Sequence, residues 1–364
     1  MIISTKMAFK RQKYQKLTLG SKYDRHTIPI FHASCGNRTT PLLKTLMTNR
    51  CMNDCKFCPF RANRGKSREE WEPKELARVA VKLRKLRKIE GVFLSSSVKR
   101  DPDYSFRRQV ESVQEMRKLG FTDYVHIKVM PGTSRDLIKQ GVKVADRVGI
   151  NIEFPNKGHY EDMKLHLDFK QDILKRLRWL SEEVKKVQEQ GKCRAGMDSQ
   201  IIVGASDETD KEIIKISGYI YQKLDARRIY YSKFEPVPNT PLENKDPENP
   251  WREYRLYQSS FLLRDYGFKS KEFIFGDDGR LDLKEDPKFT IAKETDLLVD
   301  VNESSREELL KVPGIGPKIS DKILKKRPFK NIPDLRRAGV ILKRASPFIE
   351  VSGVRQSKLN KWLN

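Results

Sequence analysis

The sequence lacks long apolar runs, and cysteine is scarce in it. No segment is apolar enough to span a bilayer and none resembles a signal peptide, which argues against a membrane protein and predicts a cytoplasmic location. Only five of the 364 residues are cysteines, too few for a disulfide-stabilised secreted scaffold. The chain is therefore expected to fold around an ordinary hydrophobic core.

Acidic residues are also too few to balance the basic ones. There are 49 aspartates and glutamates against 74 lysines and arginines, a net charge of +25. The excess lies at both ends: residues 1–50 hold ten basic side chains and one acid, and residues 300–364 hold fifteen and seven. Lysine-rich surfaces also occur in heat-adapted proteins, but mixed ion pairs would not leave so large a surplus. The charge predicts a polyanionic partner, most simply nucleic acid.

Three of the cysteines are close together in the sequence. Cys51, Cys55 and Cys58 have C-x3-C-x2-C spacing, which can supply three thiolates to a 4Fe-4S cluster and leave its fourth iron open. A zinc site would normally need four ligands and paired C-x2-C spacings, which are missing. Cys35 and Cys193 are expected to be ordinary thiols.

Strand-like and helix-like segments alternate between residues 42 and 236. Strands are predicted over 43–48, 91–96, 123–129, 148–153, 199–204 and 228–234. Helices are predicted over 74–89, 106–119, 134–141, 167–190 and 208–223. Six units in this order predict an α/β fold, a partial (β/α)6 TIM-like barrel with its site at the carboxyl ends of the strands.

A second motif lies near the other end of the chain. Val312-Pro313-Gly314-Ile315-Gly316-Pro317-Lys318 separates two short helices, and residues 304–308 offer a capping box to the first. Backbone N–H groups around Gly314 and Gly316 would bind a phosphate, with Lys318 and Lys322 adding charge. The segment is similar to a helix-hairpin-helix motif, and a protein-contact hairpin is the alternative. A degenerate second copy is predicted around residues 336–344.

Together these features resemble the radical S-adenosylmethionine (SAM) superfamily, and within it the family assigned to DNA modification or repair. The resemblance runs from Tyr23 to Val351. Its specific stretches are Ser34-Cys35-Gly36, the cysteine loop, and residues 90–104, 148–155 and 299–319. It implies a 4Fe-4S enzyme that reductively cleaves SAM to a 5'-deoxyadenosyl radical and acts on nucleic acid, most simply DNA. It also implies an electron donor and a uracil-DNA-glycosylase-like protein as partners.

The resemblance assigns roles to individual residues. The catalytic, cluster-ligating residues would be Cys51, Cys55 and Cys58. The cofactor-binding residues would be Phe57, Ser95, Ser96, Ser97, Asn151, Glu153, Gln200, Ile202, Gly204 and Phe234. Strand alternation adds His126 and Lys128 of the third strand as substrate-facing residues, if their face points inward. Tyr104, in the loop after the second strand, is a further substrate-facing candidate or a turn residue. The serines stand where the family carries a glutamate. Glu153 could instead be a structural carboxylate paired with a base, and His126 an interior side chain.

Four domains are predicted: a basic segment at 1–40, the barrel at 41–245, a connecting helical region at 246–298 and a helix-hairpin-helix domain at 299–364. Two other functions stay open. Related barrels act on RNA, and charge alone does not separate the two polymers. A non-catalytic iron–sulfur DNA-binding protein is the alternative of another class, although proteins of that kind use four cysteine ligands.

Overall fold

A computed structural model of the chain describes residues 30–35, 38–65, 67–163 and 166–355. Most of the predicted basic segment 1–40 lies outside the described residues, as does Gly36. The chain divides into two compact units, Met1–Asp207 with Leu224–Glu248, and Glu208–Lys223 with Asn249–Asn364. None of the described helices is long and apolar enough to cross a membrane.

The first unit is built on a curled sheet that, within the described residues, has seven strands in sequence order. They are β1 Ile30–Cys35, β2 Arg38–Leu46, β3 Gly91–Ser95, β4 Tyr124–Lys128, β5 Arg147–Gly149, β6 Gly196–Val203 and β7 Arg228–Lys233. Strands β2 to β7 pair in parallel, which confirms the predicted partial barrel. Strand β1 pairs antiparallel with β2 and was not predicted.

The helices of this unit alternate with the strands along the chain. They are α1 Pro73–Lys85, α2 Pro102–Lys118, α3 Arg135–Val144, α4 Lys157–Asp162 and α5 Lys175–Gln188, the last preceded by a π-helical turn over Phe169–Leu174. Proline occupies the first position of α1 and of α2, where its missing N–H costs nothing. Asp101 caps α2 by accepting a hydrogen bond from the Tyr104 N–H at 2.6 Å.

Alternation along the strands separates two faces of the sheet. Val92, Leu94, Val125, Ile127 and Ile201 are buried on one face. Each such side chain contributes roughly 1.5–3 kcal/mol of burial free energy. The alternating positions carry polar, charged and aromatic side chains, and these line the interior of the half-barrel.

The second unit contains α6 Asp210–Gln222, α7 Pro250–Asp265, α8 Pro287–Glu294, α9 Arg306–Lys311, α10 Pro317–Lys326 and α11 Leu342–Ala345. A small sheet joins β8 Val299–Asp300, β9 Ile349–Val351 and β10 Val354–Arg355. One apolar cluster, including Leu309, Ile315, Ile323 and Leu335, packs the C-terminal helices together. The predicted helical hairpin is confirmed, with α9 and α10 as its two arms.

Candidate functional site

The three clustered cysteines lie on the irregular loop after β2, at the carboxyl edge of the sheet. Arg68 holds this loop together. Its guanidinium donates hydrogen bonds to the carbonyl oxygens of Asn49, Phe60 and Arg61 at 2.6, 2.8 and 2.6 Å. These bonds replace the backbone pairing that a loop without helix or strand lacks. Sequence patterns gave no sign of this role, because Arg68 is one of many basic residues in a polar segment.

The thiols of Cys51, Cys55 and Cys58 are partly buried and form no disulfide. Burial raises the pKa of the Cys58 thiol to about 12, although the Phe60 N–H bonds to its sulfur at 3.4 Å. Burial likewise raises the pKa of Cys55, and the neighbouring thiols add to the effect. Thiolates in such surroundings need a cation beside them, which iron supplies.

The donor set fits an iron–sulfur cluster. Among the described residues, no group of three histidine, cysteine, aspartate or glutamate side chains is placed to hold one metal ion. A 4Fe-4S cluster asks for something different, since each thiolate binds a separate iron. Three thiols on one clamped loop meet that requirement.

The predicted cofactor segments meet at the same edge as the cysteine loop. Backbone hydrogen bonds continue past the strand ends, from Ser97 N to Thr48 O at 3.0 Å and from Ile202 N to Glu153 O at 2.9 Å. Arg64 joins the loop to the proline-rich turn after β7, because its guanidinium donates to Pro238 O at 2.9 Å. The serine segment, the Glu153 segment and the turn after β7 therefore border one site.

Glu153 has the features expected of a ligand-binding carboxylate. One oxygen accepts a hydrogen bond from the Asn151 amide at 3.0 Å. Glu153 Oε2 and Asn151 Oδ1 are buried and have no hydrogen-bond partner among the described residues. Burial raises the pKa of the Glu153 carboxyl to about 7, against the Asn151 hydrogen bond. Its φ of 52° is left-handed, a strained conformation for this residue type. The described residues show no ion pair to Glu153, although the charge of Lys128 acts on its carboxylate and opposes the rise in its pKa.

Strand β5 ends at Gly149, earlier than the predicted 148–153. Asn151 and Glu153 nevertheless lie on one side, as their mutual hydrogen bond shows, and Ile150 and Ile152 are fully buried. Tyr160 donates to the carbonyl of Ile152 and fixes the segment after the strand ends. The buried and unpartnered polar atoms fit the amine or hydroxyl groups of SAM, which are the donors that they lack.

Gly204 directly follows the last residue of β6. Its φ is 88°, and a Cβ added there would lie 2.3 Å from Glu248 Oε2. The missing side chain makes room for Glu248, and the contact of Gly204 with adenine stays a prediction. The Phe234 backbone is also engaged, since its N–H donates to Val203 O at 2.7 Å and its carbonyl accepts from Glu248 N at 3.0 Å.

Three more of the predicted cofactor residues are Gln200, Ile202 and Phe57. Gln200 and Ile202 are partly exposed and lie on the inner side of β6. Ile201 and Val203 alternate with them on the other side of the strand and are fully buried. Phe57 packs edge-on against Phe154 with ring centroids 5.6 Å apart. That contact ties the cysteine loop to the Glu153 segment.

The interior of the half-barrel contains a buried charge cluster. Two of its residues, His126 and Lys128, were predicted to face the substrate, whereas Asp198 was not predicted. His126 and Lys128 both meet Asp198, with His126 Nε2 2.7 Å from Oδ2 and Lys128 Nζ 2.6 Å from Oδ1. Burial lowers the pKa of His126, and the Lys128 ammonium forms an ion pair with the Asp198 carboxylate. A Cβ at Gly149 would lie 1.7 Å from Asp198 Oδ1, which explains the glycine. Tyr104 lies elsewhere, on α2, with its hydroxyl 3.4 Å from Glu70.

The C-terminal hairpin has the predicted geometry. Ser305 and Glu308 form the capping box of α9, and Pro317 is the first residue of α10. Gly314 has a φ of 86°, and a Cβ there would lie 2.8 Å from Ile341 O. Within the described part of the chain, the N–H groups of Gly314 and Gly316 donate no hydrogen bond. They are free to bind an anion.

The degenerate second copy is also present. A 3-10 helix over Ile332–Ala338 ends at Gly339, whose φ is 91°, and α11 follows. Ile341 N donates to Gly314 O at 3.4 Å, so the second turn supports the first.

Residues 45–220 match the Radical SAM superfamily, and residues 296–343 match the Helix-hairpin-helix motif. No curated protein matches the chain. Among solved structures, methylornithine synthase (PylB) is 18% identical with a TM-score of 0.48, covering 60% of each chain.

Two further solved structures are similar in the same range. The FeFe-hydrogenase maturase HydG from Carboxydothermus hydrogenoformans is 14% identical, with a TM-score of 0.46 over 60% of this chain and 50% of that one. Streptococcus suis SuiB bound to S-adenosylmethionine is 12% identical, with a TM-score of 0.47 over 62% and 48%. The chain thus spans 60% or less of the length of these proteins.

The match to the Radical SAM superfamily covers strands β3 to β6 of the half-barrel. The match to the Helix-hairpin-helix motif covers the two hairpin arms, α9 and α10. The chain therefore carries a radical SAM superfamily domain, which implies a 4Fe-4S cluster and SAM, together with a C-terminal helix-hairpin-helix motif.

Proposed function

We propose that this protein is a radical SAM enzyme that modifies or repairs nucleic acid, with DNA as the preferred polymer. The observation that carries the proposal is the combination, in one chain, of a three-thiol loop at the mouth of a half-barrel and a hairpin with unpaired N–H donors. Hairpins of this kind contact the phosphate backbone, largely regardless of sequence.

When bound, the cluster and SAM supply the electron and the carbon-centred radical that start the reaction. The protein's own residues bind and orient. Cys51, Cys55 and Cys58 hold the irons, and Glu153 with Asn151 receives the amine or ribose hydroxyls of SAM. His126 and Lys128 are held by Asp198. We propose that they set the shape and charge of the barrel interior below the cofactor.

The decisive experiment is anaerobic reconstitution with iron, sulfide, SAM and a reductant, in the presence of duplex DNA or total tRNA. Formation of 5'-deoxyadenosine establishes the cleavage activity. A new nucleoside in the DNA digest, seen by mass spectrometry, supports the proposal, and one found only in the tRNA digest supports the RNA alternative. If neither digest changes while 5'-deoxyadenosine accumulates, nucleic acid is not the substrate.

Glu153→Gln is expected to weaken SAM binding by about 1.5–3 kcal/mol, roughly 10- to 150-fold, because it removes a charge-assisted hydrogen bond. The measurement is SAM affinity of the reconstituted protein, by equilibrium dialysis. Glu161→Gln is the matched control, because Glu161 is an exposed residue of α4. Iron content should be unchanged in both variants. Equal SAM affinity of the Glu153 variant and the parent would remove Glu153 from the cofactor site.

Lys318→Ala is expected to flatten the plot of log DNA affinity against log salt concentration by roughly one unit, because one phosphate contact is lost. Lys325→Ala, in the last turn of the same helix, is the control and should keep the parental slope. The measurement is a salt titration of duplex binding by fluorescence anisotropy. Parallel loss of slope in both variants would indicate diffuse charge attraction without a defined phosphate site.

A further inference from the structure

The second unit contains a concavity of about 1,100 Å³ that extends beyond the helix-hairpin-helix motif. Its walls come from the two hairpin turns and from α7 and α8. The hairpin side carries Gly314, Gly316, Lys318 and Lys322, the residues predicted to bind phosphate. A phosphate alone would fill a small part of this volume, so the ligand that fits is larger.

Two side chains outside the motif complete the phosphate side. Tyr266 directs its hydroxyl at the hairpin, because a Cβ at Gly316 would lie 3.1 Å from Tyr266 Oη. Lys288 is 8% exposed, and its amine donates to Ile315 O at 2.6 Å, 4.6 Å from the centre of the Tyr266 ring. An ammonium group has three N–H donors and this bond uses one.

The charge of the concavity favours an anion. Besides Lys288, the lining holds three basic side chains, Lys318, Lys322 and Arg344, and two acidic ones, Asp265 and Asp286. Burial lowers the pKa of Lys288 to about 7, so this lysine adds a further positive charge when its amine is protonated. Both acids are already paired, Asp265 with Arg264 and Asp286 with Arg344.

The lining of the concavity also includes two exposed apolar side chains. Phe261 is 43% exposed and Ile341 is 54% exposed, and both line it. The Arg264 guanidinium lies 5.0 Å from the centre of the Phe261 ring. A flat ring could stack on such a surface, and nucleic-acid bases stack readily on aromatic and guanidinium groups.

We propose that this concavity is a nucleotide pocket, which holds one phosphate at the hairpin and Tyr266 and the adjoining unstacked base against Phe261 and Ile341. The inference rests on the proposed function only in taking nucleic acid as the partner. It deepens that function by naming the form of the polymer, because bases within an intact duplex are stacked and cannot enter. The protein should therefore prefer single-stranded or locally opened nucleic acid.

The test compares binding of a fluorescein-labelled single-stranded oligothymidylate with binding of a duplex of equal length, at fixed salt concentration and without SAM. Phe261→Ala and Ile341→Ala are each expected to weaken single-strand binding about fivefold or more and to change duplex binding less than twofold, the loss expected for one stacked base. Leu324→Ala is the matched control, since Leu324 is an exposed apolar residue of α10 outside the concavity. It should change neither affinity.

Three results would overturn the pocket: unchanged single-strand binding in both pocket variants, equal losses for the two polymers, or the same loss in the Leu324 control. Thermal melting checks that each variant is folded. The outcome is independent of catalysis. If the Phe261 and Ile341 variants selectively lose single-strand binding but no modified nucleoside forms, the pocket is retained and the proposed enzyme activity is rejected. If a modified nucleoside forms but the variants show no selective loss, the enzyme activity is retained and the pocket is rejected.

Discussion

Cys55→Ala protein is expected to lose most of its iron and sulfide and to form no 5'-deoxyadenosine from SAM. Cys55 lies between the other two cysteines in the sequence, on a loop held together by Arg68. Removal of one of three thiolates leaves an iron without a protein ligand, and the cluster is then lost to solvent or oxidised. Iron and sulfide analysis after anaerobic reconstitution, with chromatography of the SAM products, measures both effects.

Cys193→Ala is the control for this experiment. Cys193 is 2% exposed and precedes β6, so it lies at the amino edge of the parallel sheet, opposite the cysteine loop. The iron content of the Cys193→Ala protein should equal that of the parent. Full iron in the Cys55 variant, or loss of iron in the Cys193 variant, would show that the cluster ligands have been wrongly assigned.

The parallel half-barrel could be predicted because each of its elements has a strong local pattern. The helix predicted over 167–190, for example, places Leu177, Leu180, Val184 and Val187 on one face, and all four are buried. Strand β1 was missed because its sequence, Ile-Phe-His-Ala-Ser-Cys, is short and has no clear alternation of apolar and polar residues. Its strand conformation depends on pairing with β2, which no local pattern encodes.

The candidate site likewise contains residues that sequence patterns identify and residues that they do not. The cysteine loop, Glu153 and the hairpin glycines could be identified from residue type and spacing. Glu248 and Asp198 could not, because each contacts segments that are distant in the sequence. Arg68 could not, because it is one of many basic residues in a polar segment. Asp198 had one available signal. It is an acid two residues before Gln200 on β6, and the predicted strand began at Ser199, one residue too late to include it.

Asp198→Asn is expected to lower the free energy of unfolding of the first unit by about 3–5 kcal/mol, because it leaves the Lys128 ammonium buried without its counter-ion. The side chains of Lys128 and Asp198 are 4% and 0% exposed, so water cannot replace the lost carboxylate. Urea denaturation followed by a probe of the first unit measures the change. Glu182→Gln is the control. Glu182 is 53% exposed and pairs with Arg135, and the loss should be about 1 kcal/mol or less.

The pH dependence of stability provides a second test of the Lys128–Asp198 ion pair. Burial by itself would raise the pKa of Asp198, but His126 and Lys128 hold that pKa well below its usual range. A depressed folded-state pKa stabilises the fold at pH values above the unfolded value of about 3.9, and this contribution is lost only as the pH falls further. The difference between parent and Asp198→Asn should therefore persist at pH 5 and shrink below about pH 4. The double variant Lys128→Met with Asp198→Asn should recover part of the loss, because no unpaired charge remains. A difference already absent at pH 5, or a double variant no more stable than Asp198→Asn, would mean that Lys128 is not held as a buried cation by Asp198.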